Sequence, residues 1–358
     1  MDMTYEKVKV VIAGASGMVG REFARLLAGH PWFDVASLCG VTTAGKSYEM
    51  VWNEKENQLK NAYPLVWKKA VFPEQYRDWQ IEYINVRGLR EKNVRIAFSA
   101  LQNTKDTEDL EQKLADNGIK VFSNVGCMRM WEMIPLIIGE VNPLDMHLVE
   151  QQPWYKRGGH IVKNANCTTI GLVPFLHVIS RNFGLKGIEV VTMQALSGKG
   201  DDAYNSEEII GNTYTFIKGE EDKVATEPHK IMHNGLFEIK VKCNRVYVQN
   251  GHLEDVFFET IKETSEEEVK EALRNFRNPL TDRLPSSPDK LFYVIERDGG
   301  PQQKIDVNNG RGMAISVGDF KQYSKKEFFA SLVSHNLVRG AAGASIQNAE
   351  LALSMGYV

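Results

Sequence analysis

Cysteine is scarce and scattered in this 358-residue chain: Cys39, Cys127, Cys167 and Cys243 form no CxxC pair. That spacing argues against a disulfide framework and against a structural zinc site, so no metal is expected. Free thiols fit a reducing compartment. An excess of one charge is also lacking. The formal net charge is −3, so no basic field draws nucleic acid or an anionic membrane, and neither is expected as a partner. No apolar run approaches the roughly 20 residues that span a bilayer. The opening MDMTYEKVKVVIAG enters a charged strand without an apolar signal core, and the expectation is a cytoplasmic protein. Internal repeats and low-complexity stretches are absent too.

What is present is a chain long enough for two domains. Residues 8–13 (VKVVIA) read as a strand, GASGMVG as a glycine turn, and REFARLLAGH as a helix. Further strands are expected at 33–39, 94–100 and 119–124, the last two separated by the helical stretch KDTEDLEQKLADNG. Strands alternating with helices imply a parallel, doubly wound sheet, the α/β class. Residues 51–80, rich in Trp, Lys and Asn, read as an irregular insertion over one end of that sheet. After Cys167 the pattern changes to strand-like runs at 187–196, 236–248, 252–262, 290–297 and 313–320. Helices are fewer there; one, 265–276, opens on a capping box of Ser265 and Glu268. This predicts an α+β second domain on a mostly antiparallel or mixed sheet. The final stretch, SLVSHNLVRGAAGASIQNAELAL, reads as helical, its small residues suited to close approach to another backbone or a ligand.

In GASGMVG, Gly14 permits a tight turn, Gly17 lets a pyrophosphate reach the backbone, and Gly20 allows helix-on-strand packing. The plainer alternative is a ligand-free strand–helix turn. A carboxylate at the end of the second strand would favour NAD. LCGVTTAGKSY has none, but it offers Thr42, Thr43 and Lys46, which suit a 2′-phosphate and hence NADP.

NANCTTIGLV places Cys167 in the first turn of a helix, with a kink expected at Pro174. Helix N–H groups and the helix dipole there favour a thiolate and an oxyanion. A lone cysteine before an apolar run is otherwise core filler, so Cys167 needs partners. Period two puts Arg245 on one face with Phe237, Ile239, Val241, Cys243 and Tyr247. A buried guanidinium is costly unless paired. No carboxylate shares its face of this strand, which leaves a substrate carboxylate, a group from another element, or a snorkelling side chain. His252 follows the turn dipeptide Asn250–Gly251 and is a candidate acid/base. Glu220 and Lys223 in GEEDK read either as a solvated helical ion pair or as ligands for an ammonium and a phosphate.

Taken together, GASGMVG, NANCTT, MQALSGKG, GEEDK, NRVYVQNGH, LPSSPDK, GMAISVGDF and SHNLVRGAAGAS resemble, in order and over nearly the whole chain, the archaeal and fungal branch of the aspartate-β-semialdehyde dehydrogenases. The resemblance implies a Rossmann-type cofactor domain, residues 1–163 joined by a C-terminal helix 330–358. It also implies a catalytic and dimerisation domain at 164–329, assembled as a homodimer or homotetramer. The implied activity is NADPH-dependent reduction of aspartyl-β-phosphate, within lysine, threonine and methionine biosynthesis. Carried over by residue, Cys167 is the nucleophile, His252 the acid/base, and Gln194 orients the acyl group. Arg245 binds the α-carboxylate and Glu220 the α-ammonium; Lys223 and Arg129 bind phosphate, and Asn166 contacts substrate. Gly14, Ser16, Gly17, Met18, Val19, Thr42, Thr43, Lys46, Ser197, Gly198 and Asn336 line the cofactor.

The chain departs from the family at Gly40 and Thr42, where Ser and a basic residue are usual, which leaves NAD open beside NADP. Cys127 likewise replaces a usual Ser or Ala. The rivals are an acyl-CoA reductase such as malonyl-CoA reductase, N-acetylglutamyl-phosphate reductase, and a non-catalytic NADP-sensing module. The first two have no use for an ammonium partner at Glu220. The third would tolerate loss of Cys167, His252 or Arg245, yet all three are present.

Overall fold

A computed structural model describes residues 6–202, 206–233 and 237–358. The chain divides into two compact units, one of residues 1–137, 144–164 and 345–358, the other of 138–143 and 165–344.

The first unit is built on a six-stranded, wholly parallel sheet of β1 (Val8–Ala13), β2 (Phe33–Cys39), β3 (Ile96–Ser99), β4 (Lys120–Ser123), β5 (Leu136–Ile137) and β6 (His160–Asn164), in the order β2-β1-β3-β4-β6-β5. Its helices are α1 (Met18–Leu27), α2 (Tyr48–Ala62), α3 (Val86–Glu91) and α4 (Lys105–Asp116). The strands expected at 8–13 and 33–39 form at those residues, and those near 96 and 120 are shorter than expected.

Residues 51–80 are not simply irregular. Ser47 accepts the Met50 N–H and starts α2, which buries Tyr48, Val51, Trp52, Glu56 and Leu59 along one face. The helical period is masked in the sequence because a glutamate sits on the core face. That glutamate is matched: Glu56 lies 3.4 Å from Arg21 and accepts the Trp67 indole N–H at 3.1 Å.

The second unit carries α5 (Cys167–Phe183), β7 (Leu185–Gln194), the single turn α6 (Ser206–Ile209), α7 (Glu220–Met232), β8 (Glu238–Arg245), β9 (His252–Thr260) and α8 (Glu266–Arg274). It continues with β10 (Phe292–Ile295), the short α9 (Gln303–Asp306), β11 (Ile315–Gln322) and β12 (Glu327–Ser334). The mixed sheet runs β10-β11-β12-β9-β7-β8, antiparallel at its centre and parallel at both edges. Leu172, Phe175 and Leu176 of α5 pack on Val190, Val256 and Leu332 of the sheet. The capping box forms, with Ser265 and Glu268 each bonding the other's backbone N–H. Leu236, expected to open a strand, lies outside the described residues.

The C-terminal stretch is not helical throughout. Residues 327–334 are β12, Val338–Ala342 form a π turn, and only then does α10 (Gly343–Ser354) begin. The chain rejoins the first unit at 345, not 330. The small residues serve the turn: a Cβ on Gly340 would lie 2.8 Å from the Cβ of Cys167. In that turn Arg339 is fully buried and grips Glu140 with two bonds of 2.8 Å. Removing one partner of a buried pair strands the other. Arg339→Met is therefore expected to cost about 3–5 kcal/mol, measured as a lowered denaturation midpoint. Adding Glu140→Leu should recover most of that loss.

Candidate active site

Asn166 is the N-cap of α5. Its side-chain oxygen accepts the N–H groups of Thr168 (3.0 Å) and Thr169 (3.2 Å), which starts the helix at Cys167. Cys167 thus stands in the first turn, where the helix dipole favours negative charge. Its Sγ lies 3.3 Å from Nε2 of His252. The thiol is half buried rather than sealed in the core, and this contact gives it the partner that the core-filler alternative lacks.

His252 is fully buried. Its Nδ1 accepts the Ala195 N–H at 3.1 Å, so the neutral ring carries its proton on Nε2, facing the sulfur. Burial first and the Arg245 guanidinium second push the imidazole down to about 3, against the pull of Glu220 and the Gly251 carbonyl. The ring is therefore neutral at physiological pH.

Strand register explains why these groups meet. Arg245 pairs with Gln194 across β8 and β7, and Ser334 pairs with His252 across β12 and β9. Met193 pairs with Leu253, so Gln194 falls level with His252. Four strands thus set Arg245, Gln194, His252 and Ser334 in one row, all at least nine-tenths buried. Period two predicts the face of each residue but not which residues line up across the sheet.

Arg245 Nη1 donates to the Ala195 carbonyl at 2.6 Å, while its buried Nε has no hydrogen-bond partner. The guanidinium is thus held from one side. Gly198 lies against it: a Cβ there would stand 2.4 Å from Nη1 and 3.1 Å from the His252 ring. Any side chain at 198 would push both groups aside.

Glu220 and Lys223 do form the helical pair, at 3.3 Å, with Lys223 about half exposed. Glu220 is buried and does more: its Oε1 accepts from Asn166 Nδ2 (2.8 Å) and from Gln194 Nε2 (3.3 Å). Gln194 Nε2 also donates to Thr168 Oγ1 at 3.0 Å. Burial pushes Glu220 up, but Lys223 and the Asn166 amide outweigh it and hold the carboxyl below its ordinary 4.5. Asn336 is buried with both ends engaged: Oδ1 accepts the Gly251 N–H and Nδ2 donates to Ser197 Oγ, each at 2.8 Å. Those bonds anchor the residue before His252 to the residue before Gly198.

Glu254 was invisible as a site residue in the sequence, although it shares the face of His252 two positions on. It is fully buried and neither carboxyl oxygen has a hydrogen-bond partner. Burial, and then the charge of Glu220, raise it well above the ordinary 4.5. The folded state therefore holds a proton there to higher pH than the unfolded chain does. The stability this contributes is fully present below the unfolded pKa and is lost as pH rises through the folded one. Glu254→Gln, neutral at every pH, is expected to gain in melting temperature over the parent as pH is raised from 5 to 9. Parallel melting curves would mean that Glu254 does not hold a proton in the folded protein.

The remaining candidates belong to the first unit. Gly14, Ser16 and Gly17 form the turn between β1 and α1, and Met18 and Val19 open the helix. Gly17 is the N-cap and supplies no side-chain cap, so the first-turn N–H groups of α1 stay open to an anion, as a dinucleotide pyrophosphate requires. Thr43 Oγ1 donates to Ser16 Oγ at 2.9 Å, tying the β2 loop to that turn. Thr42 and Lys46 are exposed. These residues fit a dinucleotide. Arg129 follows β4, with Nη2 donating to the Asn124 carbonyl at 2.9 Å. No helix among the described residues is long and apolar enough to cross a membrane.

Two family models match: "Semialdehyde dehydrogenase, NAD binding domain" over residues 9–149 and "Semialdehyde dehydrogenase, dimerisation domain" over 176–339. The chain is 40% identical to an aspartate-semialdehyde dehydrogenase of Archaeoglobus fulgidus, across 96% of this chain and 98% of that protein. It is 31% identical to a malonyl CoA reductase (NADP) of Metallosphaera sedula, across 98% of this chain and 98% of that protein. Among solved structures it is similar to aspartate semialdehyde dehydrogenase with NADP from Candida albicans. There the TM-score is 0.82 and the identity 28%, over 99% of this chain and all of that one.

Proposed function

The chain belongs to the semialdehyde dehydrogenase family, and from that premise we propose that it is an aspartate-semialdehyde dehydrogenase. It reduces L-aspartyl-4-phosphate to L-aspartate-4-semialdehyde in amino-acid biosynthesis, or runs the reverse phosphorylating oxidation. The observation that carries this is the Cys167–His252 contact beside a buried guanidinium and a buried carboxylate, partners for the two charged ends of an α-amino acid.

In the oxidative direction the Cys167 sulfur attacks the aldehyde carbon. The Nε2–H of His252 is directed at the sulfur and is placed to hydrogen-bond the attacking thiolate and then the thiohemiacetal oxyanion, which gives the thioester on loss of hydride with no net proton transfer. Gln194 orients the acyl oxygen. Arg245 grips the α-carboxylate and Glu220 the α-ammonium. A bound NADP supplies the hydride acceptor in this direction and, reduced, the donor in the other. Gly14, Ser16, Gly17, Met18 and Val19 would hold its pyrophosphate, and Thr42, Thr43 and Lys46 would take its ribose 2′ side. Ser197, Gly198 and Asn336 would serve its nicotinamide end. Phosphate, held by Arg129 and Lys223, displaces the thioester sulfur and leaves as aspartyl phosphate. A thioester divides one difficult step into two easier ones. The protein works in the cytoplasm as a homodimer or homotetramer, a reading supported by the match to a dimerisation-domain model.

The test is NADP⁺ reduction with L-aspartate-4-semialdehyde, with and without phosphate. Phosphate-dependent turnover is expected, and a parallel assay with NAD⁺ measures the cofactor preference. NADPH oxidation by malonyl-CoA in place of that activity would transfer the chain to the acyl-CoA reductases. Such an enzyme has no ammonium to bind, which leaves Glu220 its bonds to Asn166, Gln194 and Lys223 but no substrate partner.

A further inference from the structure

The N-cap of a helix keeps a backbone N–H that the helix's own ladder does not satisfy, so in a buried site another group must accept it. At Asn166 the acceptor is Glu227, whose Oε2 lies 2.6 Å from the Asn166 N–H. Glu227 is 2% exposed and stands two turns after Glu220 on α7, on the same buried face as Val224 and Ile231. Helix α7 therefore grips the start of α5 twice. Glu220 accepts from the Asn166 side chain, and Glu227 accepts from its backbone. The next residue is Cys167. A carboxylate held this deep is expensive unless its hydrogen bonds require it.

We propose that Glu227 is a positioning residue for the reaction. By fixing the Asn166 peptide N–H it sets where the first turn of α5 begins, and so where the Cys167 sulfur stands relative to His252. This rests on Cys167 being the nucleophile, but on no particular substrate. It gives α7 a second duty. The helix whose first turn carries Glu220 and Lys223, the groups read as substrate ligands, also holds the nucleophile in register. Misplacement of a reacting group by about 1 Å can cost on the order of 100-fold in rate.

Two variants of the full-length protein test it. Glu227→Asp keeps the charge but withdraws the oxygen by one methylene. Its kcat is expected to fall about 10- to 100-fold, with KM for aspartate semialdehyde and phosphate nearly unchanged. Glu227→Gln keeps both reach and an acceptor oxygen, and should restore most of that loss. The rate of Cys167 alkylation by iodoacetamide, read by mass spectrometry, provides a readout without substrate. It should slow in the Asp variant and recover in the Gln variant. A folded Asp variant with parental kcat and alkylation rate would overturn the proposal. So would a Gln variant as impaired as Asp, and the Gln variant alone decides this if Asp does not fold. Altered alkylation in a protein that never turns over aspartate semialdehyde would retire the substrate reading while supporting the role of Glu227.

Discussion

Cys167→Ala is expected to abolish phosphate-dependent oxidation of aspartate semialdehyde, with a loss on the order of 10⁴-fold or more in kcat. Without the sulfur no thioester forms, and hydride transfer from an aldehyde then requires water, a far weaker nucleophile than a thiolate. Cys167→Ser should do little better, because a hydroxyl is far harder to ionise and leaves far less readily from an ester than a thiolate from a thioester. Cofactor binding should survive in both, since the glycine turn between β1 and α1 is built without Cys167. Quenching of tryptophan fluorescence by NADPH measures that. An alanine variant retaining a tenth of the parental rate would return Cys167 to the role of helix-cap filler.

Arg245→Lys is expected to lower kcat/KM for aspartate semialdehyde by about 10- to 100-fold, the loss of one hydrogen bond to a charged group, because a point charge lacks the planar fork that pairs with a carboxylate. One edge of the guanidinium is committed to the Ala195 carbonyl at 2.6 Å. A lysine ammonium satisfying that carbonyl has no second, preset edge for a substrate. The charge also acts on His252, as the second cause, after burial, of its depressed pKa. Lysine preserves that effect. Arg245→Gln removes it, so the acid limb of the pH–rate profile should move upward in Gln but not in Lys. Kinetics unchanged in the Lys variant would show that the fork grips no substrate carboxylate.

Much of this site was legible in the chain. Cys167 at a helix start, Arg245 on an apolar strand face and His252 after an Asn-Gly turn each follow from local pattern, and their spacing in several motifs was enough to suggest a family. Local pattern also misled. The glutamate on the core face of α2 hid a helix, because its partner Arg21 lies on another element. The small residues after Ser334 resembled a helix but form a π turn against Cys167.

By itself the sequence determined the period of each strand, the cap at Asn166, the glycine turn and the residue types that carry the chemistry. These depend on neighbours a few positions apart, and so on local sterics and hydrogen bonding. Tertiary structure decided the rest. It set the register that puts Arg245, Gln194, His252 and Ser334 in one row, the depth that keeps His252 neutral and raises the Glu254 pKa, and the grip of Glu227 on Asn166. Each of these joins residues from separate elements, and burial and electrostatic coupling depend on distance through space.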